Sequence, residues 1–323
     1  MPLNHTFCVA PMMQCTDTHN RRFLRKISKH AVLYTEMIAV NALVHGKQIN
    51  KLDYSNEEHP VAVQLGGSDP KTLASAAILC DRYGYDEINL NLGCPSERVQ
   101  KGSFGAALML EPDLVKQCIE SIQSVSSTSL TVKCRIGIDK EESYEFIARF
   151  VEDLSSVGIN TFFIHARNAI LSGLSPRQNR SIPPLKYDYV YKLKNDYPNL
   201  KIIINGGIKT ISECMDHLKY VDGVMVGREA YDNPMFLKDI DEMLFGDSKS
   251  KLVREELLLW YLDYLDSSQR HTSEYKIMLK HIYGLYKSEQ NARKFRYLIN
   301  ESMQAVSSKP IRDFLQNQAQ DHQ

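Results

Sequence analysis

Cys94 is the side chain in this sequence best placed to react. It follows the run EINLNLG from Glu87, in which Ile88, Leu90 and Leu92 alternate with Asn89 and Asn91 at the two-residue period of a strand. Gly93 breaks that strand and Pro95 turns the chain, so the thiol lies at a strand's carboxyl end, where parallel α/β sheets and barrels keep their chemistry. A thiol with a pKa near about 8.5 is mostly protonated at neutral pH, so it can deliver a proton as well as, once ionised, act as a nucleophile. For one cysteine alone, a small buried residue at a tight turn is the plain alternative. No G-x-S-x-G elbow or H-E-x-x-H helix competes for the role.

Other polar side chains stand at the ends of similar apolar runs: Gln64, Asn91, Lys133, His165 and Asn205, with Arg228 after the last. Lys133 lies between apolar Val132 and Cys134, so its ammonium faces inward and needs an electron-rich partner. A structural ion pair would account for any one of these residues; together on one rim they call for a ligand. Asn205-Gly206-Gly207 and Gly227-Arg228 follow the seventh and eighth runs, the two loops that make the phosphate site of a barrel. Glycines there let backbone N–H groups approach an anion, and Arg228 can grip it in a forked contact. Neither a G-x-G-x-x-G fingerprint nor a P-loop occurs.

Eight short apolar runs begin at Phe7, Leu33, Val61, Glu87, Leu130, Thr161, Lys201 and Gly223. Their spacing leaves room for a crossover helix and a return, as parallel strands require. Between them, Asp69-Pro70 opens a helix whose inner face is Leu73, Ala76, Ala77 and Cys80 and which Gly84 stops. Glu111-Pro112 opens another, Ser143 to Val157 is a third, and Thr210 with Glu213 forms a capping box. The pattern is that of an α/β protein, a (β/α)8 TIM barrel over residues 1–244 with a C-terminal all-helical domain over 245–323; a doubly wound open sheet is the alternative. In the helical part, Leu252 to Leu265, Ile277 to Tyr286 and Phe295 to Met303 read as helices, and the tail QNQAQDHQ as loose. Between Lys276 and Arg296 six basic residues meet a single acid, Glu289, either a solvated face or a phosphate-binding one.

Lys plus Arg and Asp plus Glu both total 39, so a nucleic-acid partner has to be met by a local basic patch. Seven cysteines without a C-x-x-C pair argue against a disulfide framework or a zinc site and for a reducing compartment. With no long apolar segment, a soluble, cytoplasmic protein is expected, a monomer that binds no metal or membrane.

Nearly the whole chain resembles the bacterial tRNA-dihydrouridine synthases, most closely their A-type branch. The resemblance runs through APMMQCTD, LYTEM, HPVAVQLGGSDP, YDEINLNLGCPSERV, TVKCRIGID, INGGIK and DGVMVGREAYDNP; the long loop in IHARNAILSGLSPRQNRSIPPL marks the branch. It implies FMN at the barrel mouth, with Pro11, Met12 and Met13 in the first flavin loop and Gln64, Lys133 and His165 against the flavin ring. It also implies phosphate contacts from Asn205, Gly206, Gly207, Gly227 and Arg228, with Cys94 as the catalytic proton donor. Asn91 would lie beside the target base, and Arg177, Arg180, Arg293 and Arg296 would touch tRNA. The reaction so implied is NADPH-driven reduction of D-loop uridine, at positions 20 and 20a, to 5,6-dihydrouridine. Two other readings of the residues are a flavin barrel reducing a small pyrimidine and an RNA-binding protein without catalysis.

Overall fold

The computed structural model describes residues 3–96, 99, 102, 104–267 and 271–321. Its centre is a closed barrel of eight parallel strands in chain order: β1 Phe7–Val9, β2 Val32–Ala39, β3 Val61–Gly66, β4 Glu87–Leu92, β5 Ser129–Arg135, β6 Thr161–His165, β7 Lys201–Asn205 and β8 Gly223–Val226. β8 pairs back onto β1 through Met225 opposite Cys8, which removes both sheet edges. The closed (β/α)8 barrel is thus the architecture, and the open-sheet alternative falls.

Two-residue alternation sorts each strand into an inner and an outer set. Cys8, Ala10, Val32, Tyr34, Ala62, Phe163, Ile203 and Met225 pack into one buried cluster inside the barrel, with Phe163 edge-on to Tyr34 at a centroid distance of 5.5 Å. The helices form where their caps lie. Asp69 accepts from Thr72 N at 2.7 Å to start Pro70–Tyr83, and Gly84, at φ 78°, ends it in the left-handed conformation glycine favours. Ser143 caps Tyr144–Ser155, and Thr210 with Glu213 forms the full capping box of Ile211–Leu218.

The backbone divides into two compact units, Met1–Thr18 with His30–Gly227, and His19–Lys29 with Arg228–Gln323. The second holds the helices Arg254–Ser267, Thr272–His281, Ala292–Ala305 and Lys309–Asp321. Phe23 of its early segment packs on Tyr261 at 5.0 Å, and Ser28 Oγ donates to Asp241 at 2.5 Å. Two sequence expectations need correction. The helix placed at Ile277 to Tyr286 runs instead over Thr272–His281 and ends in turns. The tail is helical to Asp321, because buried Ile311, Phe314 and Leu315 repeat at helical spacing and anchor it. No helix among the described residues is long and apolar enough to cross a membrane.

Candidate active site

The Cys94 turn is built on β4, whose inner row is Glu87, Asn89 and Asn91, all buried. Asn91 Oδ1 accepts from the backbone N–H of Gly93 at 3.1 Å and of Cys94 at 3.0 Å, so the last inward side chain of the strand folds over and holds the turn that follows it. Gln64, on neighbouring β3, accepts from Asn91 Nδ2 at 2.7 Å. Cys94 Sγ lies 3.5 Å from Ser96 Oγ and is half-buried. Five of the other six cysteines are buried, and burial pushes Cys80, Cys118, Cys134 and Cys214 up to about 12 and Cys8 well above the usual range. Those thiols are poor acids; Cys94 and Cys15 alone are partly open.

On β5, Lys133 sits in register with Asn91 and reaches Asn205 Oδ1 at 3.0 Å across the barrel. Among the described residues this amide is its acceptor, and no carboxylate neutralises it. Burial first, then the Arg135 cation, holds its ammonium down to about 8. An anion at the mouth would reverse that penalty. Asn205 pairs in register with His165, and His165 with Arg135, so Gln64, Asn91, Lys133, His165 and Asn205 stand on five consecutive strands, β3 to β7, with Arg135 and His165 one step nearer the rim than Lys133.

The loops after β7 and β8 are shaped for close approach. Gly206 and Gly207 have φ of 119° and 80°, and a Cβ on Gly206 would stand 2.7 Å from the His165 ring. Tyr187 OH donates to Gly206 O at 2.6 Å and fixes the turn. A Cβ on Gly227 would lie 3.6 Å from Met12 Sδ, so the first loop and the loop after β8 adjoin. In that first loop Pro11 and Met12 are half-buried, Met13 is exposed, and Met12 N donates to Thr16 Oγ1 at 3.0 Å. An unneutralised, half-buried ammonium, an amide row and two left-handed glycines fit a phosphate-bearing flavin that carries negative charge.

Arg135 carries a part that the strand pattern alone did not suggest. It is 3% exposed; its Nε donates to Gly93 O at 2.9 Å, and one terminal nitrogen donates to Asn168 O at 2.9 Å and Asn179 O at 3.1 Å. It therefore ties the Cys94 turn to the long loop after β6. Buried Asn179 folds that loop on itself by binding both N and O of Ile170 at 2.8 Å. The result holds Arg177 and Arg180 on an exposed surface. The signal was parity: Thr131, Lys133 and Arg135 share the inner face of β5. Arg228, Arg293 and Arg296 belong to the second unit. There Arg228 opens the short helix Arg228–Asp232, while Arg293 and Arg296 are exposed on Ala292–Ala305 with Phe295 buried between them.

Comparison with known proteins adds an independent line. Residues 8–322 match the family model described as dihydrouridine synthase. A tRNA-dihydrouridine(20/20a) synthase of Shewanella oneidensis is 47% identical over 300 residues, covering 93% of this chain and 89% of that protein. Proteins of the same name from Pseudomonas aeruginosa and Escherichia coli K12 are 45% and 48% identical over 97% and 92% of this chain, with 94% and 86% of their own lengths covered.

Proposed function

The chain belongs to the dihydrouridine synthase family, and from that premise we propose that it reduces uridines 20 and 20a in the D-loop of tRNA to 5,6-dihydrouridine. It is an oxidoreductase, acting in this reading as a cytoplasmic monomer. Residues 1–244 carry the chemistry, and 245–323 help hold the RNA. The observation that supports it most is the partly open thiol of Cys94, held at a barrel rim beside a half-buried, unneutralised Lys133.

Bound FMN, with NADPH as its reductant, would supply hydride chemistry toward carbon 6 of the uracil ring. Pro11, Met12 and Met13 would hold the flavin with Gln64, Lys133 and His165, and Asn205, Gly206, Gly207, Gly227 and Arg228 would take its phosphate. The Lys133 ammonium stabilises negative charge on that group. Cys94 donates the proton from Sγ to carbon 5, where negative charge develops. Asn91 stands beside the base and orients it. A stacked base cannot reach a barrel mouth, so the target uridine is flipped out. Arg177, Arg180, Arg293 and Arg296 hold tRNA phosphates, which position the RNA without reading bases.

The test is mass-spectrometric mapping of dihydrouridine in tRNA from cells lacking the gene, with and without this protein restored. Purified protein should be yellow and release FMN. Restored cells that still lack the modification at both positions would end the proposal.

A further inference from the structure

We propose that Glu87, deep inside the barrel, acts as a positioning residue: through Thr131, Asn89 and Gln64 it sets which end of the Asn91 amide faces the Cys94 turn. The inference rests on the reading above for its consequence in catalysis, but its structural content stands on hydrogen bonds alone.

Glu87 Oε1 accepts from Tyr34 OH at 2.6 Å and from Thr131 Oγ1 at 2.8 Å, and Oε2 meets His5 Nε2 at 2.6 Å. A hydroxyl has one proton. Having given it to Glu87, Thr131 can only accept from its other neighbour, and Asn89 Nδ2 donates to it at 2.8 Å. That turns Asn89 Oδ1 toward Gln64 Nε2, at 2.8 Å, and leaves Gln64 Oε1 to accept from Asn91 Nδ2 at 2.7 Å. Asn91 Oδ1 is then left for the two backbone N–H groups of Gly93 and Cys94. The upper end enforces the same direction, since backbone N–H groups can only donate. Thr131 is the one link that could rotate its proton the other way, and Glu87 prevents it.

The consequence is chemical. With its oxygen committed to the turn, Asn91 offers the mouth one remaining N–H of Nδ2 and no acceptor. A lone donor suits a ring carbonyl oxygen and opposes an exocyclic amino group, so this direction favours uracil over cytosine. Were the amide reversed, two N–H groups would face two N–H groups, and the turn that carries the thiol would open.

The experiment compares Thr131→Val, which cuts the chain at nearly constant shape, with Thr131→Ser, which keeps the hydroxyl. Backbone amide exchange of the 15N-labelled protein is read by NMR, and dihydrouridine formation on tRNA by turnover. In Thr131→Val the amides of Gly93 and Cys94 should exchange about tenfold faster while the rest of the barrel is unchanged, the size expected for one hydrogen bond. Its kcat should fall by a similar factor at unchanged tRNA Kd, and Thr131→Ser should match the parent. Adding Glu87→Leu to Thr131→Val should speed exchange at those two amides no further. Parent-like exchange in Thr131→Val, or acceleration spread evenly over all strands, would overturn the inference. A parent protein that makes no dihydrouridine, yet whose Gly93 and Cys94 amides open on cutting the chain, would support it and overturn the proposed function instead.

Discussion

Replacing Arg135 by methionine keeps most of the stem volume and removes the guanidinium that joins the Cys94 turn to the loop after β6. Three carbonyl oxygens, of Gly93, Asn168 and Asn179, then lose a donor. Each buried acceptor left unmatched costs about 1–3 kcal/mol. Against this, burial first and then the Arg180 and Arg167 cations hold Arg135 down to about 10 from a usual 12.5, so removing the charge returns about 3 kcal/mol. The net expectation is a destabilisation of about 3 kcal/mol. Urea denaturation gives that number, and limited proteolysis within residues 166–186 reads the local release. A loss under about 1 kcal/mol with unchanged cleavage would show that the two segments hold their places without the guanidinium, and the clamp would be refuted.

Cys94→Ala should keep bound flavin and NADPH oxidation but lose most dihydrouridine formation; an unchanged rate on tRNA removes it as the acid. Gly206→Ala places a Cβ against His165 at a φ of 119°, so purified protein should carry little FMN, and full flavin content would contradict the proposed phosphate turn. Arg293→Ala with Arg296→Ala should weaken tRNA binding and flatten its salt dependence by roughly one unit of slope for each phosphate no longer neutralised. Wild-type affinity and slope in filter binding would sink that assignment. Burial holds the Lys133 ammonium down to about 8 from a usual 10.5, so between those values the unfolded chain binds more protons, and this residue makes flavin-free stability rise with pH. FMN affinity has the opposite trend and should fall as pH rises through about 8; fluorescence titrations equal at pH 7 and pH 9 would exclude the ammonium as the flavin's partner.

The barrel was legible because strand parity and helix caps are local: Asp69, Gly84, Ser143 and Thr210 do in space what their neighbours in sequence require. The rim was legible for the same reason, one polar residue toward the end of each strand from β3 to β7. Long-range relations were not. Nothing near His19 announces that His19–Lys29 groups with helices more than two hundred residues later, where Phe23 meets Tyr261. The polar tail looked loose because its three apolar anchors, Ile311, Phe314 and Leu315, precede the glutamine-rich end. Parity places Arg135 on the inner face with Lys133, but its partners were not legible, because backbone carbonyls from two separate loops converge on it.

The interior of the barrel also explains why a carboxyl group is tolerated where a hydrocarbon would pack more easily. Glu87 is fully buried, and of its partners His5, Thr131 and Tyr34 only Tyr34 belongs to the apolar cluster that holds Phe163. A buried charge or acceptor is costly unless every lone pair is met, and replacing such a group with apolar volume is often neutral or stabilising. Stability alone therefore gives no reason for it. Direction does: an apolar side chain cannot tell Thr131 which way to turn its proton, and the amides of Asn89, Gln64 and Asn91 would lose the lower of the two ends that align them. The same strand face thus changes task along its length, from orienting protons in the interior to presenting one donor and one thiol at the rim.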